Sequence, residues 1–251
     1  AVFEDAAPSS IKRRRIGKKR RQAKKDGFDA EADPTHGAPL NCIWMKSIKV
    51  PLQWFQAFLS GEAGTLRRVY SVESYLGLGK KVTIITDASP WGIGGVLIID
   101  GWPDQYFHDV ITPLDAEILH IIIGDSSAQQ AAEALGVLVA LRLWAPLWRG
   151  KRINLSVKMD SVSALTILLK CKSAGDAPSV VAREVALDMA GSIYIPNVMQ
   201  HVPGVANVMA DALSRWHDPG RERELPALLR GASLRVIAPR LRSWWRALSP
   251  P

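Results

Sequence analysis

The chain has 251 residues, 47% of them hydrophobic and 22% charged, with a formal charge of +8. That balance suits a folded globular core and excludes a wholly disordered or collagen-like chain. Only Cys42 and Cys171 are present, far apart and without metal-ligand spacing, which excludes a disulfide framework or a zinc finger and fits a reducing, intracellular setting.

The charge is appended to the ends. Residues 1–40 carry 10 basic and 6 acidic side chains, residues 219–251 carry 7 and 2, and the stretch between them has a net charge of −1. Within the first segment, IKRRRIGKKRRQAKK (11–25) packs ten Lys and Arg into fifteen residues, too much like charge to fold alone. A disordered basic arm over 1–40 is expected, serving nuclear import or phosphate binding. No apolar run is expected to span a membrane, no signal-peptide core is visible, and the chain begins at Ala1, as a processed product or a piece of a longer chain does.

Between residues 41 and 80, Leu52, Trp54, Phe55, Phe58 and Leu59 recur at near-helical spacing before Gly61 and Gly64 interrupt them, which predicts a short amphipathic helix leading into the main domain. The main domain is placed at 81–217. It opens with VTIITDASPWGIGG (82–95), in which five β-branched residues predict a buried strand that ends at Pro90 and leaves Asp87 near its rim. Val96 to Ile99 continues as a second strand, and Trp102 to Val110 as a third. Residues 113–123 are apolar but punctuated by Asp115 and Glu117, and their pattern leaves them open.

Ala128 to Trp144 reads as a helix with Asp125 or Ser126 as its cap, Glu133 in its body and Pro146 at its end. Arg152 to Asp160 alternates as a fourth strand that again ends in Asp. Helices are then expected over 161–170 and 179–189, a fifth strand over 193–202, and a last helix over 207–216. Residues 218–251 form an Arg- and Pro-rich tail, expected to be basic and flexible.

Four acids stand out by position: Asp87 and Asp160 at strand ends, Glu133 and Asp211 on helices. Each alone fits a cap, a turn or a solvated face. Together they form the donor set that hard divalent cations prefer, and such clusters hold paired ions for phosphoryl chemistry.

The motifs TDASPWGIGG, QQAAEALGVLVALRLW, VKMDSVSAL and HVPGVANVMADALSR resemble the ribonuclease H domain of retroelement reverse transcriptases, over about residues 81–216. The ending N-x-x-x-D-A-L-S-R, Asn207 to Arg215, is the most specific, being of the kind carried by long-terminal-repeat (gypsy-like) and related retrotransposon enzymes. The resemblance implies an α/β ribonuclease H-like fold, a five-stranded mixed sheet flanked by helices. It implies two Mg²⁺ ions, with Mn²⁺ as a substitute, held by Asp87, Glu133, Asp160 and Asp211, and cleavage of the RNA strand of an RNA–DNA hybrid. Asp87 would bridge the ions, while Ser89, Ser161, Asn207 and His201 would lie near the substrate.

One departure is that His201 falls at a strand end, where cellular and retroviral members carry a longer His-bearing loop. No polymerase motif is present, so a reverse transcriptase polymerase would be a partner supplied upstream or separately, with residues 51–70 as the end of its connection. Two other readings stay open: a catalytically inactive nucleic-acid-binding or tethering domain, and a DNA-cutting nuclease of the same fold.

Overall fold

In a computed structural model, the structure describes residues 45–63, 76, 78–148, 153–171, 176–191, 198–201 and 207–248. The basic run 12–25, Cys42 and the proposed boundary at residue 40 lie outside them. Helix α1, Met45–Ser60, covers the predicted amphipathic stretch and starts earlier than its apolar spacing suggested.

The residues that follow build a sheet from strands β1 (Lys80–Ala88), β2 (Gly92–Ile99) and β3 (Trp102–Val110), an antiparallel meander. Strand β4 (Ile153–Met159) lies parallel to β1, and β5 (Val198–His201) parallel to β4. The order is β5-β4-β1-β2-β3, the mixed sheet of a ribonuclease H-like fold, with a sixth, two-residue strand β6 (Ser233–Leu234) added parallel to β3.

Helices α2 (Pro113–Leu119), α3 (Gln129–Trp148), α4 (Val162–Lys170), α5 (Asp176–Gly191) and α6 (Val208–Ser214) flank the sheet. The segment 113–123, left open by its pattern, starts as a helix because Thr112 and Asp115 form a reciprocal capping box with Pro113 in the first turn.

Strand β2 is buried on both faces, as its unbroken apolar run requires. Leu97 joins the main core with Ile84, Leu135, Leu138 and Trp144, while Val96 points the other way to Leu213 and Leu229. Strand β1 is less uniform than its β-branched run suggested. Val82 and Ile84 are buried in the main core, and Thr83 and Ile85 on the opposite face are only half-buried.

Helix α3 runs through Pro146 instead of stopping there. The proline removes one hydrogen bond within the last turn, and buried Trp144 and Trp148 on either side hold that turn in place. Residues Ser126–Trp148 are long and apolar enough to cross a membrane by length and composition, contrary to expectation. The apolar window is 72% buried within the fold, which makes it a core helix.

The tail corrects the sequence reading most. Residues 218–248, expected to be flexible, fold back over the domain within the same compact unit, Gln53–Pro251. Two arginines fasten them. Arg240 donates to both oxygens of buried Asp115, to the Val110 carbonyl at 2.6 Å and to Asp109. Arg142 of α3 donates to the Trp244 carbonyl at 2.7 Å, to Glu184 at 2.6 Å and to Asp188 at 2.6 Å. Glu184 in turn accepts from the Ala247 amide. Composition alone read the tail arginines as solvated charge; Arg240 and Arg142 each have a fixed carboxylate partner more than 40 residues away in sequence.

Candidate active site

Strands β1 and β4 are parallel, with Ile85 opposite Lys158, so the acids that follow, Asp87 and Asp160, emerge from neighbouring strands at the same end of the sheet. Helix α3 packs across β1 and β2 and brings Glu133 to that end. Ligand atoms of Asp87, Glu133 and Asp160 all lie within 4.8 Å of one another, the one such group of three acids among the described residues.

Two of the three carboxylates, those of Asp87 and Glu133, are each held by a separate contact. The Ser214 hydroxyl donates to Asp87 Oδ2 at 2.6 Å. Gln129 Nε2 lies 2.8 Å from Glu133 Oε1 and 2.7 Å from the Ala88 carbonyl, tying the helix to the end of β1. Neither residue was singled out in the sequence. Gln129 was legible, because it stands one helical turn before Glu133. Ser214 was not, since the contact spans 127 positions.

The cluster is electrostatically expensive. Burial pushes the Asp87 carboxyl up to about 6; the Ser214 hydrogen bond opposes this, and the charges of Asp160 and Asp211 add to it. Burial pushes Glu133 to about 9, with Asp87 and Asp160 adding repulsion. Glu133 Oε2 and Asp160 Oδ1 are buried without a hydrogen-bond partner. Unpartnered buried oxygens facing like charge fit a hard divalent cation, which prefers oxygen ligands and offsets the repulsion.

Asp211 stands apart from this group. Its carboxylate, 37% exposed, pairs at 2.5 Å with Arg215, the residue that follows α6, and Arg221 lies 3.9 Å away. It remains near enough to act on Asp87 electrostatically.

The remaining expected residues have other partners. Ser89 is 1% exposed, accepts from the Trp91 and Gly92 amides and lies 2.6 Å from Asp218 Oδ1, which leaves it no face for a substrate. Ser161 caps α4 by accepting from the Ala164 amide. Asn207 is 3% exposed and donates to the Thr86 carbonyl at 3.2 Å, bracing β1 from beneath. His201 ends β5, opposite Met159, and its side chain lies outside the described residues.

Solved ribonuclease H structures are similar to about half of the chain. RNase H1 from Halobacterium salinarum is 19% identical, with a TM-score of 0.42, over 54% of this chain and 96% of that one. LC11-RNase H1, isolated from compost, is 21% identical at 0.38, over 53% and 91%. The N-terminal RNase H domain of a Mycobacterium tuberculosis protein, solved as a fusion with maltose-binding protein, is 18% identical at 0.39, over 54% and 91%. No family model matches the chain, and no curated protein matches it significantly. The fold assignment therefore rests on strand order and direction.

Proposed function

We propose that this chain is a retroelement-type ribonuclease H that cuts the RNA strand of RNA–DNA hybrids with Mg²⁺, or Mn²⁺ in its place. The observation that carries the reading is the convergence of Asp87, Glu133 and Asp160, from two parallel strand ends and a core helix, into one group of ligand atoms. The D-A-L-S-R ending of α6 supports the retroelement part.

Asp87, Glu133 and Asp160 would hold the cation, with Asp211 joining once its carboxylate leaves Arg215. Bound divalent ions supply an activated water and charge stabilisation at the phosphate. The protein's own part is orientation. Ser214 fixes one oxygen of Asp87, Gln129 aims Glu133, and the buried strand ends keep the carboxylates from turning into bulk water. Glu133 would also lie on the side of the ribose 2′-hydroxyl, the group that distinguishes RNA from DNA. The basic run 12–25 would add salt-sensitive affinity for the duplex, or nuclear import.

One observation favours a second reading. The Arg215 pair occupies the fourth acid, an arrangement that would suit a domain that binds hybrid without cutting it. Incubation of end-labelled RNA–DNA hybrid, duplex RNA and duplex DNA with Mg²⁺, with and without chelator, separates the readings. Chelator-sensitive cutting of only the hybrid's RNA strand supports the proposal. Retention of hybrid without cleavage supports the silent domain, and cleavage of duplex DNA supports a DNA nuclease of the same fold.

A further inference from the structure

Ser214 lies at the end of α6, fully buried, in contact with the start of β2. A Cβ on Gly92 would come 2.7 Å from the Ser214 carbonyl oxygen, and one on Gly94 would come 2.5 Å from its amide nitrogen. These two glycines at the start of β2 therefore let α6 sit directly against the strand, and that approach brings the hydroxyl within 2.6 Å of Asp87 Oδ2. The same hydroxyl is 3.0 Å from the Asp211 carbonyl, and the Ser214 carbonyl is 3.0 Å from the Ser89 hydroxyl. A hydroxyl has one proton to give. The short contact to a carboxylate, which has no proton to offer once ionised, assigns that proton to Asp87.

Resting on the ribonuclease H reading above, we infer that Ser214 is a positioning residue: its hydroxyl pins Asp87 Oδ2 so that the other carboxylate oxygen faces Glu133 and Asp160 as a cation ligand. Partners that orient a ligating carboxylate typically change metal affinity by about 10- to 100-fold when removed. The tail takes part through the Ser89 hydroxyl, which bridges the Ser214 carbonyl and Asp218.

The test is Mg²⁺ binding by calorimetry and by thermal shift on the full chain, alongside hybrid cleavage as a function of Mg²⁺ concentration. Ser214→Ala is expected to raise the Mg²⁺ dissociation constant about tenfold or more and to move half-maximal cleavage to correspondingly higher Mg²⁺. Ser214→Cys, of similar shape but with a weaker donor, should fall between the two and serves if the alanine variant folds poorly. Thr112→Ala removes the α2 cap, whose side-chain partner is Asp115 and none of the clustered acids, and controls for stability: it should lower the melting temperature without moving the Mg²⁺ constant. Wild-type Mg²⁺ binding that Ser214→Ala and Ser214→Cys both reproduce overturns the positioning role alone. A wild-type protein that neither binds Mg²⁺ nor cuts overturns the ribonuclease H reading, and this inference with it.

Discussion

Gly94 lies directly beneath Ser214: a side-chain carbon at position 94 would sit 2.5 Å from the Ser214 amide nitrogen and 2.6 Å from Leu213 Cβ. Gly94→Ala must therefore push α6 off the sheet, taking Ser214 and Asp211 with it. Overpacking of this kind costs about 1–3 kcal/mol, and we expect a lower melting temperature together with a weakened Mg²⁺ response. Gly231→Ala, where nothing lies within 4 Å, should be close to neutral in both measurements.

Arg240 and Asp115 are both buried and joined by three hydrogen-bond contacts. Removing one partner leaves an uncompensated charge, so Arg240→Met should destabilise the protein by about 3–5 kcal/mol in urea unfolding. The double variant with Asp115→Asn should lose less than the two single losses added together. A tail that moved independently of the domain would leave the urea midpoint unchanged.

Glu133 is the acid of the cluster shifted furthest, and it contributes a pH dependence to the stability of the metal-free protein. Its folded pKa, about 9, lies above its ordinary value of 4.5, so the folded state binds more protons than the unfolded chain between those values. Its contribution is most favourable below about pH 4.5 and is lost as the pH rises towards 9. Without divalent ions, wild type should therefore lose stability relative to Glu133→Gln across that window. Saturating Mg²⁺ should oppose the loss by favouring the ionised carboxylate. Chemical denaturation at pH 5, 7 and 9, with and without Mg²⁺, reads both effects.

Strand β1 offers a packing test. Ile84 is fully buried and Ile85 only half-buried. Ile84→Ala should cost about 2–5 kcal/mol, and Ile85→Ala clearly less. Both should reduce cleavage to the extent that they loosen the strand end bearing Asp87, which parallel melting and activity measurements will show.

The sequence disclosed local periodicity and residue type more readily than long-range partnership. Asp87, Glu133 and Asp160 were legible because each falls at a punctuated element boundary or on an evident helix, and the order of elements placed them at one end of a sheet. The Asp211–Arg215 pair was equally legible from its i, i+4 spacing at the end of the last helix, although its consequence for the fourth acid needed the structure. Ser214 with Asp87 and Arg240 with Asp115 are each more than 120 positions apart, and although Ser214 falls in the D-A-L-S-R motif, nothing local marks either pairing. The tail looked solvated because composition weighs an arginine by its charge, whereas its partners decide whether it is buried. Pro146 misled for a related reason: local propensity predicted a stop, and the packing of two tryptophans overrode it.

Asp87 stands at the centre of the proposed cation site, and its replacement by Asn tests that site most directly. The measurement is cleavage of a labelled RNA–DNA hybrid in Mg²⁺ by wild type and by Asp87→Asn, both checked for folding by circular dichroism. Wild type is expected to cut the RNA strand, and the variant, folded and with nearly the same shape at that position, to fall to background. Equal cleavage by the two proteins, or an intact hybrid with wild type, would contradict that expectation.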